Sequence, residues 1–341
     1  MNFLLACSGM LQFFLFSLLF VSTSFAASTP FFQVVALGCG GGPVENNLSC
    51  YLFAPIGDSN FVAMDAGTLL SGLELANAKK AFEGIEFSPT AKFNSVGEIF
   101  REHIKAYCIS HAHLDHISGL VINSTADVRK NIYGLAQTID DIRDCLFNWR
   151  IWPNFGDEGK LPHLKLYHYV RLPLAQSIAI PKTKLSVEAF HLTHPDGYLS
   201  TAFLLESQGE YILYFGDTGP DSLSEKKPLK KIWEKIAPLI QKKKLHSLFL
   251  ECSFSDATTT NQLYGHLTPR YMMETLRDLA QQVNADDPKT ALKGLKVVVT
   301  HIKDSLSKNS DPRKQIAQEL EKLNDLGVEW IFPSQGERML F

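Results

Sequence analysis

The sequence has few cysteines, and their arrangement excludes a scaffold built on disulfides. Six cysteines are spread over 341 residues, and no two are separated by only two positions. Cys7 lies in the N-terminal apolar region, which leaves an odd number of later cysteines at irregular spacing. Such a set is not a disulfide framework, even in an exported protein. Cys108 and Cys252 lie in or directly after apolar runs, which predicts that both pack in a hydrophobic core.

A large excess of one charge is also absent. Lys and Arg number 33 and Asp and Glu number 36, so the formal net charge is -3. Proteins that bind nucleic-acid polymers carry basic surfaces, and this composition provides none over the whole molecule. We therefore expect a small-molecule partner and no nucleic-acid polymer. A small anionic substrate would have to be held by metal or by a local pocket.

Residues 1–26 have the pattern of a secretory signal peptide. Leu11 to Val21 is apolar apart from two polar residues, and small residues follow from Ser22 to Ala27. This pattern predicts a cleaved signal, a periplasmic or secreted protein, and no membrane attachment after cleavage. No Lys or Arg precedes the apolar stretch, so a retained membrane anchor is the alternative interpretation.

Residues 27–341 are predicted to form a single domain. No repeat, low-complexity tract or linker interrupts them, and 45% of the chain is hydrophobic, enough to bury a large core. Short apolar runs that end at His or Asp alternate with stretches of helical periodicity. This order predicts sheets covered by helices, with a site at the strand ends.

The strongest signal is the sequence SHAHLDH at residues 110–116. It follows an apolar run that reads as a buried strand, and the next residues read as a helix that begins at Ile117. His111 and His113, two residues apart on an extended backbone, project to one side and suit one metal ion. Asp115 and His116 can face a second ion, as two-metal hydrolytic sites require.

Other polar residues stand at the ends of later strand-like runs. His194, Asp217 and His301 each follow such a run. Alone, each is typical of a turn, but beside the histidine cluster an imidazole can complete the first ligand set and a carboxylate can bridge both ions. Asp65 ends an earlier strand, where it either caps the next helix or orients a ligand histidine. The glycine-rich segment 38–42 lacks the Lys-Ser/Thr helix of a P-loop and is interpreted as a tight turn near the site.

The order of these residues identifies a family resemblance. HxHxDH, a later His, an Asp in a Gly-Asp-Thr turn and a final His after a hydrophobic strand resemble the metallo-β-lactamase fold superfamily. Residues 111–124, HAHLDHISGLVINS, resemble the signature of the class II 3′,5′-cyclic-nucleotide phosphodiesterases, as do residues 148–155 and the sequence YGHLTP at 264–269. Thr125 departs from the Ala or Pro expected there. The superfamily implies an αβ/βα sandwich of two mixed sheets flanked by helices.

The resemblance also implies ligands, metals and a reaction. One ion would be bound by His111, His113 and His194, the other by Asp115, His116 and His301, with Asp217 bridging. Two divalent ions are implied, with zinc favoured by this donor set and manganese or iron left open. A hydroxide shared by the ions would attack phosphorus of cyclic AMP or cyclic GMP and give the nucleoside 5′-monophosphate.

His266 is the remaining candidate for catalysis. The ribose O3′ is a poor leaving group and needs a proton, and neither metal requires His266. We therefore predict His266 as general acid or phosphate contact, against a structural hydrogen bond as the alternative. His266 and Asp115 are the two residues predicted to be catalytic.

Three other functions are compatible with parts of the pattern. A tRNA 3′-processing nuclease shares the chemistry, but the chain has no basic arm. A lactam or lactone hydrolase would leave the His266 loop unexplained, and a binding protein without turnover would not need seven candidate ligands. The aromatic-rich segment 148–156 is either buried packing, a lid whose rings stack on a base, or a subunit contact that would allow a homodimer.

Overall fold

The computed structural model describes residues 29–87, 89, 90, 92–194 and 198–341. The predicted signal peptide, residues 1–26, lies outside this range. Within the described residues, no helix combines the length and apolar character needed to cross a membrane. The assignment of residues 27–341 to a single domain stays a prediction.

The first sheet has seven strands in the described residues. Its order is β14-β1-β2-β3-β4-β5-β6. The strands on the β14 side, as far as β3, pair antiparallel, whereas β3 to β6 pair parallel. The bounds are β1 Phe32–Gly38, β2 Cys50–Pro55, β3 Phe61–Met64, β4 Ile104–Cys108, β5 Lys130–Gly134, β6 Tyr167–Arg171 and β14 Arg338–Leu340.

The second sheet, also of seven described strands, repeats this plan. Its order is β13-β12-β11-β10-β9-β8-β7. The strands from β7 to β10 pair antiparallel and those from β10 to β13 pair parallel. The bounds are β7 Ile178–Ala179, β8 Ser186–Thr193, β9 Leu199–Ser207, β10 Glu210–Phe215, β11 Leu245–Glu251, β12 Lys296–Thr300 and β13 Glu329–Ile331.

The helices lie on the outer faces of the two sheets. Their bounds are α1 Leu70–Ala78, α2 Ser95–Glu98, α3 Leu114–Asn123, α4 Ala136–Asp141, α5 Pro228–Gln241, α6 Pro269–Val283, α7 Pro288–Ala291 and α8 Pro312–Leu323. Two π-helical turns, Ile99–His103 and Ile142–Leu146, continue α2 and α4.

Successive apolar residues of a strand contribute to opposite faces of its sheet. In β1, Phe32 and Val34 face the second sheet, whereas Val35 and Leu37 face the helices, because successive side chains of a strand point to opposite faces. One core therefore lies between the sheets and one lies under each helical layer. The predicted αβ/βα sandwich of two mixed sheets is confirmed. Cys108 and Cys252 are fully buried in these cores, as predicted.

The predicted start of α3 is wrong by three residues. The helix begins at Leu114, so Asp115 and His116 lie in its first turn and not in the loop before it. A carboxylate in the first turn is favoured by the positive end of the helix dipole. Gly67 allows the helix to approach the loop after β3, because a Cβ at Gly67 would collide with the carbonyl oxygen of Asp115.

Candidate metal centre

The candidate ligands follow strands that run in the same direction. β3 and β4 are parallel neighbours, and β8, β10 and β12 are parallel to one another within the second sheet. The carboxyl ends of these strands meet at one edge of the sandwich. The strand ends deliver Asp65, His111, His194, Asp217 and His301 to this edge.

The first cluster contains three imidazoles and one carboxylate. Nδ1 of His113 lies 3.1 Å from Nε2 of His111 and 3.3 Å from Nε2 of His194. Oδ2 of Asp217 lies 3.7 Å from Nε2 of His111 and 3.8 Å from Nε2 of His194. The four donor atoms therefore surround one point, at the spacing of ligands that share an ion.

The second cluster adjoins the first and shares one residue with it. Nε2 of His116 and Nε2 of His301 are 3.1 Å apart, and Oδ2 of Asp115 lies 3.2 Å from Nε2 of His301. Oδ1 of Asp217 is 3.3 Å from Nε2 of both histidines. The structure thus brings together all seven side chains that the sequence singled out as ligands.

Asp217 divides its two oxygens between the clusters. Oδ2 faces the first and Oδ1 faces the second. The side chain is 2% exposed, and Oδ1 has no hydrogen-bond partner among the described residues. A buried carboxylate oxygen that accepts no well-aligned hydrogen bond is costly unless a nearby positive charge compensates it. This atom and the facing imidazole nitrogens fit a pair of divalent ions bridged by one carboxylate.

The protonation of the histidines also suits cation binding. Burial lowers the pKa of His111 well below its ordinary value and that of His194 to about 4, so both imidazoles are neutral and offer a lone pair. His116 behaves differently. Burial opposes its charged form, but the carboxylates of Asp217 and Asp65 raise the pKa of His116 well above its ordinary value. Binding of a cation there would replace a proton.

Most of the candidate ligands are oriented by a hydrogen bond on the other ring nitrogen. His116 Nδ1 donates to Asp65 Oδ2 at 2.8 Å, and His301 Nδ1 donates to Ser253 Oγ at 2.9 Å. His194 Nδ1 lies 3.3 Å from the carbonyl oxygen of Gly265. Such contacts fix the tautomer and direct the free nitrogen toward the ion.

Asp65 is the central outer residue. Its carboxylate accepts hydrogen bonds from the backbone N–H of Ser110 at 2.7 Å and from the hydroxyl of Tyr214 at 2.7 Å, besides the bond from His116. Of the two sequence interpretations of Asp65, the structure therefore favours orientation of a ligand histidine. No cap on the following helix is formed by its side chain.

We expect Asp65→Asn to weaken divalent-metal binding by about 10- to 100-fold, because the amide no longer offers His116 a charged acceptor. Competition with a chromogenic chelator measures this affinity. The matched control is Asp58→Asn, a buried aspartate that bonds the backbone N–H of Asn60 at 3.0 Å. Unchanged affinity in Asp65→Asn would contradict the assigned role.

Glu251 borders the candidate site and was not identified from the sequence. It ends β11, is 1% exposed, and its Oε1 accepts from His266 Nδ1 at 2.9 Å. Its Oε2 accepts from the hydroxyl of Ser253 at 2.9 Å, the hydroxyl that also contacts His301. The buried carboxylate of Glu251 thus orients His266, the predicted general acid, directly. Through Ser253 it also orients His301, a candidate ligand. An acidic residue closing an apolar strand was the available signal.

The environment of His266 favours its protonated form. Burial opposes the imidazolium, but the nearby carboxylates of Glu251 and Asp217 raise the pKa of His266 above its ordinary value. His266 Nδ1 lies 3.7 Å from Asp217 Oδ2. The imidazole of His266 therefore borders the candidate metal centre through its Nδ1 side.

Tyr198 is a second residue that sequence reasoning missed. Its ring stacks on that of His113 with centroids 4.8 Å apart and planes inclined by 4°. Its hydroxyl donates to Asp141 Oδ2 at 3.0 Å and accepts from the backbone N–H of Ala112 at 3.3 Å. Tyr198 thus orients the one candidate ligand histidine that is exposed.

The glycine-rich turn runs beside the site, as the sequence predicts. A Cβ at Gly41 would lie 2.5 Å from the His301 imidazole. The aromatic segment 148–156 is partly buried and partly exposed, so the structure does not decide between the alternatives of buried packing, a lid and a subunit contact. Trp152 packs against the core of the first sheet, whereas Trp149 is 39% exposed and Ile151 is 64% exposed.

Comparisons with known proteins agree on one family. Residues 32–336 match the model of the class-II cAMP phosphodiesterases. The chain is 40% identical over 318 residues to a 3′,5′-cyclic-nucleotide phosphodiesterase of Aliivibrio fischeri, covering 93% of this chain and 95% of the relative. It is 28% identical over 366 residues to the cAMP/cGMP-dependent 3′,5′-cAMP/cGMP phosphodiesterase A of Dictyostelium discoideum, covering 89% and 80%.

Solved structures support the same grouping. Unliganded yeast PDE1 superposes with a TM-score of 0.79 at 26% identity, covering 92% of this chain and 100% of that one. The metallo-β-lactamase fold protein YhfI of Bacillus subtilis gives a TM-score of 0.58 at 16% identity, covering 90% and 99%. The second similarity concerns the fold alone, and it agrees with the predicted metallo-β-lactamase fold.

Proposed function

This chain belongs to the family of class II cAMP phosphodiesterases, and from that membership we infer that it hydrolyses 3′,5′-cyclic nucleotides to nucleoside 5′-monophosphates. The observation that carries this inference is the pair of ligand clusters joined by Asp217, in a chain that matches the family over residues 32–336. The site holds the residue types that metal-dependent phosphodiester hydrolysis needs.

We propose that the two clusters bind two divalent ions, of which zinc fits the imidazole and carboxylate donors best. One ion would be held by His111, His113 and His194, the other by Asp115, His116 and His301, with Asp217 shared. Such ions, when bound, make a water nucleophilic near neutral pH and neutralise charge on the phosphoryl oxygens.

The remaining steps are carried by the chain's own residues. As the water oxygen bonds to phosphorus, the bond from phosphorus to O3′ breaks and its electron pair leaves on O3′. Glu251 occupies Nδ1 of His266, so the proton available to O3′ is the one on Nε2. Asp115 stays ionised, because the adjacent His116 and His301 lower its pKa despite the opposing effect of burial.

Two further proposals concern the setting of the enzyme. Export to the periplasm or beyond is supported by the apolar segment and small residues within positions 1–27. A homodimer through segment 148–156 is supported by the exposed apolar side chains of Trp149 and Ile151.

The experiment that tests the function is an assay of the purified, zinc-loaded protein on a panel of substrates. We expect turnover of cyclic AMP or cyclic GMP, and no comparable turnover of 2′,3′-cyclic nucleotides, a pre-tRNA or nitrocefin. Elemental analysis is expected to find about two divalent ions per chain. Cleavage of pre-tRNA or nitrocefin alone would contradict the proposal, and near-zero metal content without turnover would indicate a binding protein.

A further inference from the structure

A small cavity borders the side of the metal centre that carries the proposed acid. It measures about 260 Å³, and its walls include His194 and His266. Pockets for whole drug-sized ligands span roughly 300–1,000 Å³, so this one suits a part of the substrate. Its other walls are mainly apolar and hydroxylic, including Pro220, Leu223 and Tyr264.

Tyr264 is held in this wall by an unusual turn. The backbone N–H of His266 donates to the carbonyl of Leu263 at 3.1 Å, and the two residues between them, Tyr264 and Gly265, both have positive φ, 50° and 76°. Such turns favour Asn-Gly, and a bulky side chain at positive φ is a strained exception. Strained residues concentrate at functional sites.

The turn connects the tyrosine to the catalytic machinery. Its Gly265 carbonyl contacts Nδ1 of His194 at 3.3 Å, and its last residue is His266. The Tyr264 side chain is nevertheless 66% exposed. Tyr264 thus combines a positive φ with a mostly exposed ring, and it belongs to none of the hydrophobic cores formed by the described residues.

The chemistry of the leaving group places the ribose on this side. If His266 delivers a proton to O3′, the ribose that carries O3′ lies beside the cavity that His266 lines, and the base is attached to the same ribose. A second, more open pocket is lined by Asp115 and Lys303, and His266 does not line it.

We propose that Tyr264 is the stacking platform for the nucleobase, with Leu223 and Pro220 as apolar walls of the same cavity. This inference rests on the proposed function. The class of ligand is a purine ring, whose flat face stacks on an aromatic side chain without regard to its substituents.

The test compares a ring-less variant with a ring-keeping one. Tyr264→Asn removes the ring but suits the positive φ, so the turn keeps its shape. We expect KM for cyclic AMP and cyclic GMP to rise about 5- to 100-fold, the effect of losing one stacked base. Tyr264→Phe should retain the wild-type KM.

A base-free substrate separates stacking from damage to the site. The methyl riboside of ribose 3′,5′-cyclic phosphate has the same cyclic diester but no base, so Tyr264→Asn should leave its kcat/KM unchanged. Equal losses on this compound and on cyclic AMP, or no rise in KM, would overturn the assignment. If Trp149→Ala, and not Tyr264→Asn, raises KM for cyclic AMP but not for the base-free compound, the base stacks on segment 148–156 and the assignment is wrong. Wild-type inactivity on cyclic nucleotides would overturn the proposed function itself.

Discussion

Asp217→Asn should reduce kcat/KM for cyclic AMP by at least about 10³-fold, because one carboxylate serves both clusters and its charge would balance both of the proposed ions. An amide has nearly the same shape but is neutral, and only one of its two terminal atoms is a ligand atom. An asparagine at position 217 therefore cannot offer one oxygen to each cluster, as Oδ2 and Oδ1 of Asp217 do. Steady-state kinetics and elemental analysis of the same preparation measure the two effects, and we expect the metal content to fall with the rate.

The matched control is Asp325→Asn, an exposed aspartate paired with Arg277 at 3.1 Å. Exposed ion pairs contribute little, so this variant should keep its rate and its metal. A variant of Asp217 that retains both ions and most of its rate would show that the carboxylate does not bridge them.

His266→Ala should reduce the rate on cyclic AMP by about 10²- to 10⁴-fold, the usual contribution of a general acid. An activated aryl phosphodiester expels a leaving group that needs no proton, so its hydrolysis should be affected far less. Both ions should stay bound, because the structure gives the candidate ligand clusters enough donors without His266. Comparison of kcat on the two substrates, with metal analysis, measures this difference.

His246→Ala provides the control, since this histidine pairs with Glu210 at 2.9 Å and lies outside the candidate clusters. It should behave as the wild type on both substrates. If His266→Ala lowers kcat equally on the two substrates, His266 is not the general acid. It would then contact the phosphate or have a structural role.

The parts of the site that lie close together in sequence were predictable. His111 and His113 follow a buried strand two residues apart, and this local pattern alone indicates a metal. The distant members, His194, Asp217 and His301, needed the family resemblance, because nothing within each turn relates it to the others. These three residues converge because their strands run in the same direction, and strand direction is decided by how the strands pair in the folded sheet.

The outer contacts could not be predicted, for a different reason. Glu251 meets His266 and Tyr198 meets His113 across gaps of 15 and 85 residues, and neither has a motif. Two strands lack the apolar run by which a strand can be predicted from sequence. β6 has the sequence YHYVR, and β14 has only three residues. The early start of α3 was hidden because Asp115 and His116 read as turn residues, although a first-turn carboxylate suits a helix.

The repeated sheet plan has a consequence for assembly. Each candidate ion would take two residues from the first half of the chain and two from the second: His111 and His113 with His194 and Asp217, and Asp115 and His116 with Asp217 and His301. Neither half alone provides the four ligands of either cluster. A cation would therefore bind with its full ligand set only after the two halves have packed together. Bound cation would then indicate that the two halves are packed correctly, and part of the free energy of cation binding would stabilise the contact between them.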